Sequence, residues 1–174
     1  MGEEIDSKYE VEELLGAGGM GMVFRARRAL LGDEVALKIL FPHFLKSDLQ
    51  RRLFTDEAIS TAQVNHPNVI TIYDADVDER YKVAYMVMEL LEGQSFKELM
   101  ISEAPMPPSM IYPIFTQVCA GLHAAHHMNI IHRDLKPDNI FLSANDEGEL
   151  IAKVLDFGIA TVRGHVNEDE QNKL

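Results

Sequence analysis

The chain has 174 residues, 47% of them hydrophobic, which suits one domain or one and a half small ones with a packed core and excludes a disordered tail. Its 28 Asp and Glu against 16 Lys and Arg give a formal charge of −12, which repels phosphate backbones and anionic lipids, so no nucleic acid partner is expected. A lone Cys119 builds no disulfide framework, no basic-then-apolar leader opens the sequence, and the apolar run "VAYMVMELL" is broken by Glu89; a reducing, cytoplasmic setting without a membrane span is expected.

In chain order, "YEVEELLG", "MVFRAR" and "EVALKIL" are short runs rich in Val, Leu and Phe, separated by the Gly-containing turns "GAGGMG" and "LLGDE". That pattern predicts a hairpin sheet over residues 9–39. From Asp48 to Gln63 the period becomes helical: Leu49, Leu53, Phe54, Ala58, Ile59 and Ala62 form a stripe, with Ser47 or Asp48 as N-cap. Glu57 falls four after Leu53 on that apolar side and calls for a cationic partner. "HPNVITIYDAD" and "YKVAYMVMEL" predict two more strands, joined by the polar "VDER" and entered through Pro67.

The character changes near Gly93, the best lobe boundary. Pro107-Pro108 precedes a helical stripe of Ile111, Ile114, Phe115, Val118, Leu122 and Ala125, which Asn129 can end. Two short strands, "NIFLS" and "LIAKVLD", then flank the turn "ANDEGE". No internal repeat or low-complexity linker is present.

Four stretches carry chemistry. "GAGGMGMV" spaces Gly16, Gly18 and Gly21 as G-x-G-x-x-G-x-V, where backbone amides can approach phosphates without a clashing Cβ. The pattern also occurs in ordinary tight turns. A dinucleotide-binding version needs a helix directly afterwards, whereas "MVFRAR" continues as a strand. Lys38 ends "VALK"; a solvated surface lysine is the ordinary reading, but strand alternation puts it with Ala36 in an otherwise apolar strand, and Glu57 offers the opposite charge. In "HRDLKPDN", Asp134 can accept the proton of an attacking hydroxyl, Lys136 can neutralise a transferring phosphoryl group, and Asn139 offers an amide oxygen to a hard cation. Asp156 of "DFG" adds the charged oxygen that Mg2+ prefers. Together they read as a phosphoryl-transfer site.

In their order and contexts these four stretches resemble the signature set of the protein kinases, and the chain is similar to eukaryotic-type Ser/Thr kinases with a bacterial flavour. The resemblance implies an α+β, two-lobed kinase-like fold. Residues 1–92 would form an N-lobe of a five-stranded antiparallel sheet and one long helix, and 93–174 an incomplete, mainly helical C-lobe ending in the activation loop. It implies ATP and Mg2+ as cofactors: Gly16, Gly18 and Gly21 over the phosphates, Lys38 on them and paired to Glu57, Asp134 as catalytic base, and Asn139 and Asp156 on the metal. It further implies Met88 as gatekeeper, the Glu89 carbonyl and Leu91 amide on adenine, and Leu15, Val23, Ala36 and Phe141 as walls around the ring. His132 and Phe157 would pack the Asp-Phe-Gly turn.

The leading expectation is phosphoryl transfer from ATP to Ser/Thr hydroxyls of protein substrates. The alternative is a truncated nucleotide-binding or pseudokinase-like regulatory module acting through a partner; a small-molecule phosphotransferase is disfavoured by Lys136 two after Asp134. The family's docking helices are expected to be missing after the activation loop, leaving an exposed face for a partner or self-association and a marginal fold. His123, His126 and His127 read as helix-face histidines rather than a zinc site, having neither nearby carboxylates nor an HExxH pattern. "NEDEQ" reads as a solvated, disordered loop.

Overall fold

A computed structural model describes residues 4–42, 47–145 and 147–157, apart from the side chains of Asp48, Leu49, Arg51, Leu53 and Glu57. The described residues form two compact units, one of 4–42, 47–59 and 72–90, the other of 60–71, 91–145 and 147–157.

The first unit is built on an antiparallel sheet of β1 (Glu4–Ile5), β2 (Tyr9–Ala17), β3 (Gly21–Arg28), β4 (Glu34–Leu40), β5 (Ile72–Asp78) and β6 (Val83–Met88), in the order β1-β2-β3-β4-β6-β5. The five expected strands are joined by β1, whose two residues are too few to show alternation in a sequence. β1 turns into β2 through Asp6 and Ser7, both at φ 53°, the left-handed turn whose twist matches the flanking strands. The hairpin is clasped to the far strands: the Asp6 amide donates to Asp78 Oδ2 (2.7 Å), and the hydroxyls of Tyr85 and Tyr9 donate to Asp6 Oδ2 and Asp74 Oδ2 (2.8 Å each). Burial, and then these carboxylates, push both phenols well above their usual pKa and keep them protonated donors.

Strand alternation divides the residues of this sheet. Ile5, Tyr9, Ala26, Val35, Leu37, Tyr85 and Val87 make one core cluster. The opposite face carries the row Val23, Lys38 and Met86, placed side by side by register, with Ala36 and Met88 two residues along.

Helix α1 (Asp48–Ala62) starts at Ser47, whose Oγ accepts from the Gln50 amide (3.2 Å) while the Ser47 amide donates to Gln50 Oε1 (3.1 Å), a reciprocal capping box. Its described buried residues are Gln50, Phe54, Ala58 and Thr61. Ile59 and Ala62, expected in the stripe, are exposed. Each lies one residue further round the helix than Ala58 or Thr61, so the apolar stripe is narrower than its composition suggests.

In the second unit, β7 (Gly93–Ser95), β8 (Ile140–Ala144) and β9 (Leu150–Val154) form a small antiparallel sheet, accompanied by α2 (Phe96–Ser102) and α3 (Pro108–His127). Pro108 opens α3, where no intrahelical N–H is needed. Ile114, Val118 and Ala125 of the expected stripe are buried, whereas Phe115 is exposed and meets Phe96 edge-on, centroids 5.6 Å apart. Asn129 ends the helix at φ 60°; its amide bonds the His126 carbonyl (2.9 Å) and the Ile130 amide bonds the Ala125 carbonyl (3.0 Å), a Schellman closure.

The stretch "HPNVI" departs from expectation. Residues 66–70 are not the start of β5 but part of the second unit: the Val154 amide bonds the Asn68 carbonyl (2.9 Å) and the Ile70 amide bonds the Val154 carbonyl (3.0 Å). Buried Asn68 donates through Nδ2 to the Ala152 carbonyl (2.8 Å) and to Gln117 Oε1 (2.9 Å), and Gln117 Oε1 also accepts the Ala152 amide (2.9 Å). At Gly121 a Cβ would lie 2.6 Å from the Asn68 carbonyl oxygen, so only glycine lets α3 approach this closely. β9 and α3 are thereby locked together.

Candidate active site

The expected site residues fall into two groups, one in each unit. In the first, β2 and β3 carry the glycine hairpin. The Gly18 amide donates to the Gly21 carbonyl (2.9 Å) and closes the tip. The three glycines are not equivalent. A Cβ on Gly21 would sit 2.1 Å from the Ile39 carbonyl oxygen, so strand packing itself demands glycine there; around Gly16 and Gly18 it would meet nothing within 4 Å. Protein packing leaves those two positions open, as a cradle for a phosphate requires.

Lys38 lies in the middle of β4 and is only 6% exposed, which rules out the solvated-lysine reading. Val23, Ala36, Lys38 and Met88 share one sheet face. Met88 and Ala36 are opposite one another in register and both buried. Leu15 is exposed at the irregularity between Leu14 and Gly16, and Glu89 follows β6 directly. Glu57 occupies its expected place in α1, but its side chain, and so its pairing with Lys38, lies outside the described residues.

The second unit holds the other group. His132, 3% exposed, is pinned on both ring nitrogens: Nε2 is 2.7 Å from the Leu155 carbonyl and Nδ1 accepts the Asp134 amide at 3.2 Å. A carbonyl can only accept, so the proton sits on Nε2 and the ring is neutral. Burial agrees, holding the imidazole below its usual pKa against the opposing pull of the Leu155 carbonyl, Asp156 and Asp134. The ring also packs on Phe157, centroids 4.7 Å apart, as expected.

Arg133, at φ 62°, reverses the chain so that Asp134 turns toward Lys136, whose Nζ is 2.6 Å from Asp134 Oδ2. A left-handed arginine costs free energy and persists only where neighbours dictate it. Asn139 closes the loop by donating through Nδ2 to the Asp134 carbonyl (2.9 Å). The β8–β9 ladder, pairing Ile140 with Val154 and extended by the Leu155 amide bonding the Asn139 carbonyl (2.9 Å), puts Asn139 and Asp156 at the same sheet end. Phe141 is half-buried on β8 opposite Ser95 and Lys153, and Leu91 is half-buried ahead of β7.

These residues fit the cofactors the sequence implies. With Nδ2 committed to Asp134, the remaining acceptor of the Asn139 amide is Oδ1, and Asp156 adds a carboxylate; Mg2+ takes one or two such protein oxygens beside substrate phosphates and water. Gly158 and the expected activation loop with its acidic "NEDEQ" run lie outside the described residues.

Two supports escaped sequence reasoning. Asn68 and Gln117 hold the strand that leads to Asp156, their one signal being a turn-like "HPN" ahead of a strand. Lys97 of α2 reaches Asp138 (2.7 Å) beside Asn139 and keeps that carboxyl below its usual pKa, and nothing in the spacing of 41 residues announces it.

A family model described as the protein kinase domain matches residues 9–172. The chain is 38% identical over 162 residues to serine/threonine-protein kinase pkn3 of Myxococcus xanthus, covering 93% of this chain and 29% of that protein. It is 37% identical over 161 residues to PrkC of Bacillus subtilis, covering 92% and 24%. The crystal structure of the Mycobacterium tuberculosis PknI kinase domain superposes with a TM-score of 0.80 at 28% identity, covering 91% of this chain and 62% of that one. The chain thus spans less than a third of these two relatives' length and less than two thirds of that kinase domain.

Proposed function

This chain belongs to the protein kinase domain family, and from that membership we propose that it carries the nucleotide-side and transfer machinery of a Ser/Thr kinase, moving the γ-phosphoryl group of ATP onto Ser or Thr hydroxyls of protein substrates. The observation that carries the reading is the 132–139 loop, in which Lys136 Nζ lies 2.6 Å from Asp134 Oδ2 and the Asn139 amide bonds the Asp134 carbonyl. Asp134 takes the proton of the attacking hydroxyl, and Lys136 offsets charge on the group in flight. Neutral His132 holds the loop backbone that aims Asp134. By family membership Asn139 and Asp156 would hold Mg2+, and Gly16, Gly18 and Lys38 the phosphates, with Leu15, Val23, Ala36, Met88, Glu89, Leu91 and Phe141 contributing to the adenine site. Mg2+-ATP, when bound, would supply the phosphoryl group and a divalent cation to offset its negative charge.

No described helix is long and apolar enough to cross a membrane, and we place the reaction in the cytoplasm. A second reading, a nucleotide-binding regulator working through a partner, draws on the exposed Ile101, Tyr112 and Phe115 of α2 and α3. Radiolabelled transfer to a general Ser/Thr substrate separates the two. The kinase reading expects signal from the wild type and none from Asp134→Asn; equal signals would sink the catalytic assignment, and ATP binding without any transfer would favour the regulator.

A further inference from the structure

The last turns of α3 carry three histidines that the transfer chemistry does not use. His123 and His127, both exposed and four residues apart, share a helix face and bring their Nε2 atoms to 3.0 Å, with rings at 87° and centroids 4.4 Å apart. Between neutral imidazoles this contact has one Nε2–H donating to the other ring's Nε2 lone pair.

The same separation has a second meaning. Metal–imidazole bonds of about 2.0–2.1 Å meeting at a right angle put two cis nitrogens about 2.9 Å apart, whereas a tetrahedral angle spreads them to about 3.3–3.4 Å. The 3.0 Å spacing therefore suits the cis edge of a square-planar or octahedral ion better than a zinc tetrahedron. Among the described residues no three His, Cys, Asp or Glu side chains gather as a metal cluster, so any ion here would be held by two protein ligands, with water completing its shell.

We propose that His123 and His127 form an exposed two-nitrogen chelate for Cu2+, the divalent ion that such nitrogen sites bind most strongly. On binding, the donor imidazole transfers its proton from Nε2 to Nδ1, so both Nε2 lone pairs face the ion and no proton is released. The site is at the carbonyl end of a 20-residue helix, where the helix field favours a cation. His126, only one residue before His127, makes no part of the pair and serves as the internal control.

The test is electron paramagnetic resonance of the full chain with CuCl2 added to one equivalent in a buffer with a weak competing ligand. The wild type is expected to show a tetragonal spectrum with two-nitrogen splitting, lost in His123→Gln and in His127→Gln and kept in His126→Gln, with far-UV circular dichroism unchanged in all three. An identical copper spectrum in the His123→Gln/His127→Gln double variant overturns the proposal. So does its disappearance in His126→Gln.

Discussion

In the 132–139 loop the proposed catalytic groups and their supports are tied to one another and to the strand behind them: His132 bonds the Leu155 carbonyl, the Asp134 amide bonds His132, Asn139 bonds Asp134, and Lys136 pairs with its carboxylate. The glycine hairpin is the opposite case. Its tip is closed by Gly18 to Gly21, and Gly16 and Gly18 have no atom near where a side chain would begin. Groups that move a proton must be set before substrate arrives, whereas a loop that accommodates a phosphate gains from empty space and a backbone free to adjust. "HRDLKPDN" is much the more specific of the two motifs, and it is the one built as a tied loop, while the glycine stretch is an opening.

The sharpest way to break this contrast lies inside the hairpin. Gly21→Ala forces a Cβ against the Ile39 carbonyl and is expected to cost about 1–3 kcal/mol of stability, as overpacking does. Gly18→Ala is expected to stay within about 0.5 kcal/mol of wild type in thermal unfolding. Equal losses would mean that the glycines are structural alike.

Asn68→Ala removes a side chain that bonds the Ala152 carbonyl and Gln117 in the second unit, and a loss of about 1–3 kcal/mol is expected from the buried groups left behind. Hydrogen exchange of the β9 amides should rise while that of β2 and β3 stays constant; a uniform rise would contradict a support confined to the second unit.

The pH effect is smaller. The folded pKa of His132 lies below its ordinary 6.5, so its contribution is fully present above that value. As pH falls from 6.5 toward the folded pKa, the unfolded chain takes up the proton first and stability is lost. Exchange of the Asp134 amide, corrected for its intrinsic rate, should therefore show easier opening in this window. His132→Phe should abolish the trend, and its persistence would assign it to another group.

Much of this was legible because the chemistry sits in contiguous strings. "GAGGMGMV", "VALK", "HRDLKPDN" and "DFG" announce Gly16, Lys38, Asp134 and Asp156 without a structure, and the expected kinase-like fold is borne out by the likeness to the PknI kinase domain. What was not legible depends on contacts far apart in sequence. Asn68 looks like the entry to a strand, yet its side chain is claimed by Ala152, 84 residues on. Gly21 looks like a phosphate glycine, yet the nearest demand on it comes from Ile39 on the neighbouring strand. The left-handed backbones of Arg133 and Asp156 leave no trace in residue type, since neither is glycine.

On the proposed function, holding nucleotide and transferring its phosphoryl group belong to separable sets of residues. Calorimetric Mg2+-ATP affinity and radiolabelled transfer, measured on the same preparations of wild type, Lys38→Met and Asp134→Asn, address it directly. Asp134→Asn is expected to keep nucleotide affinity while transfer falls by about 10²–10⁴-fold, and Lys38→Met to lose both. Nucleotide affinity lost with Asp134, or transfer surviving without it, would overturn that separation.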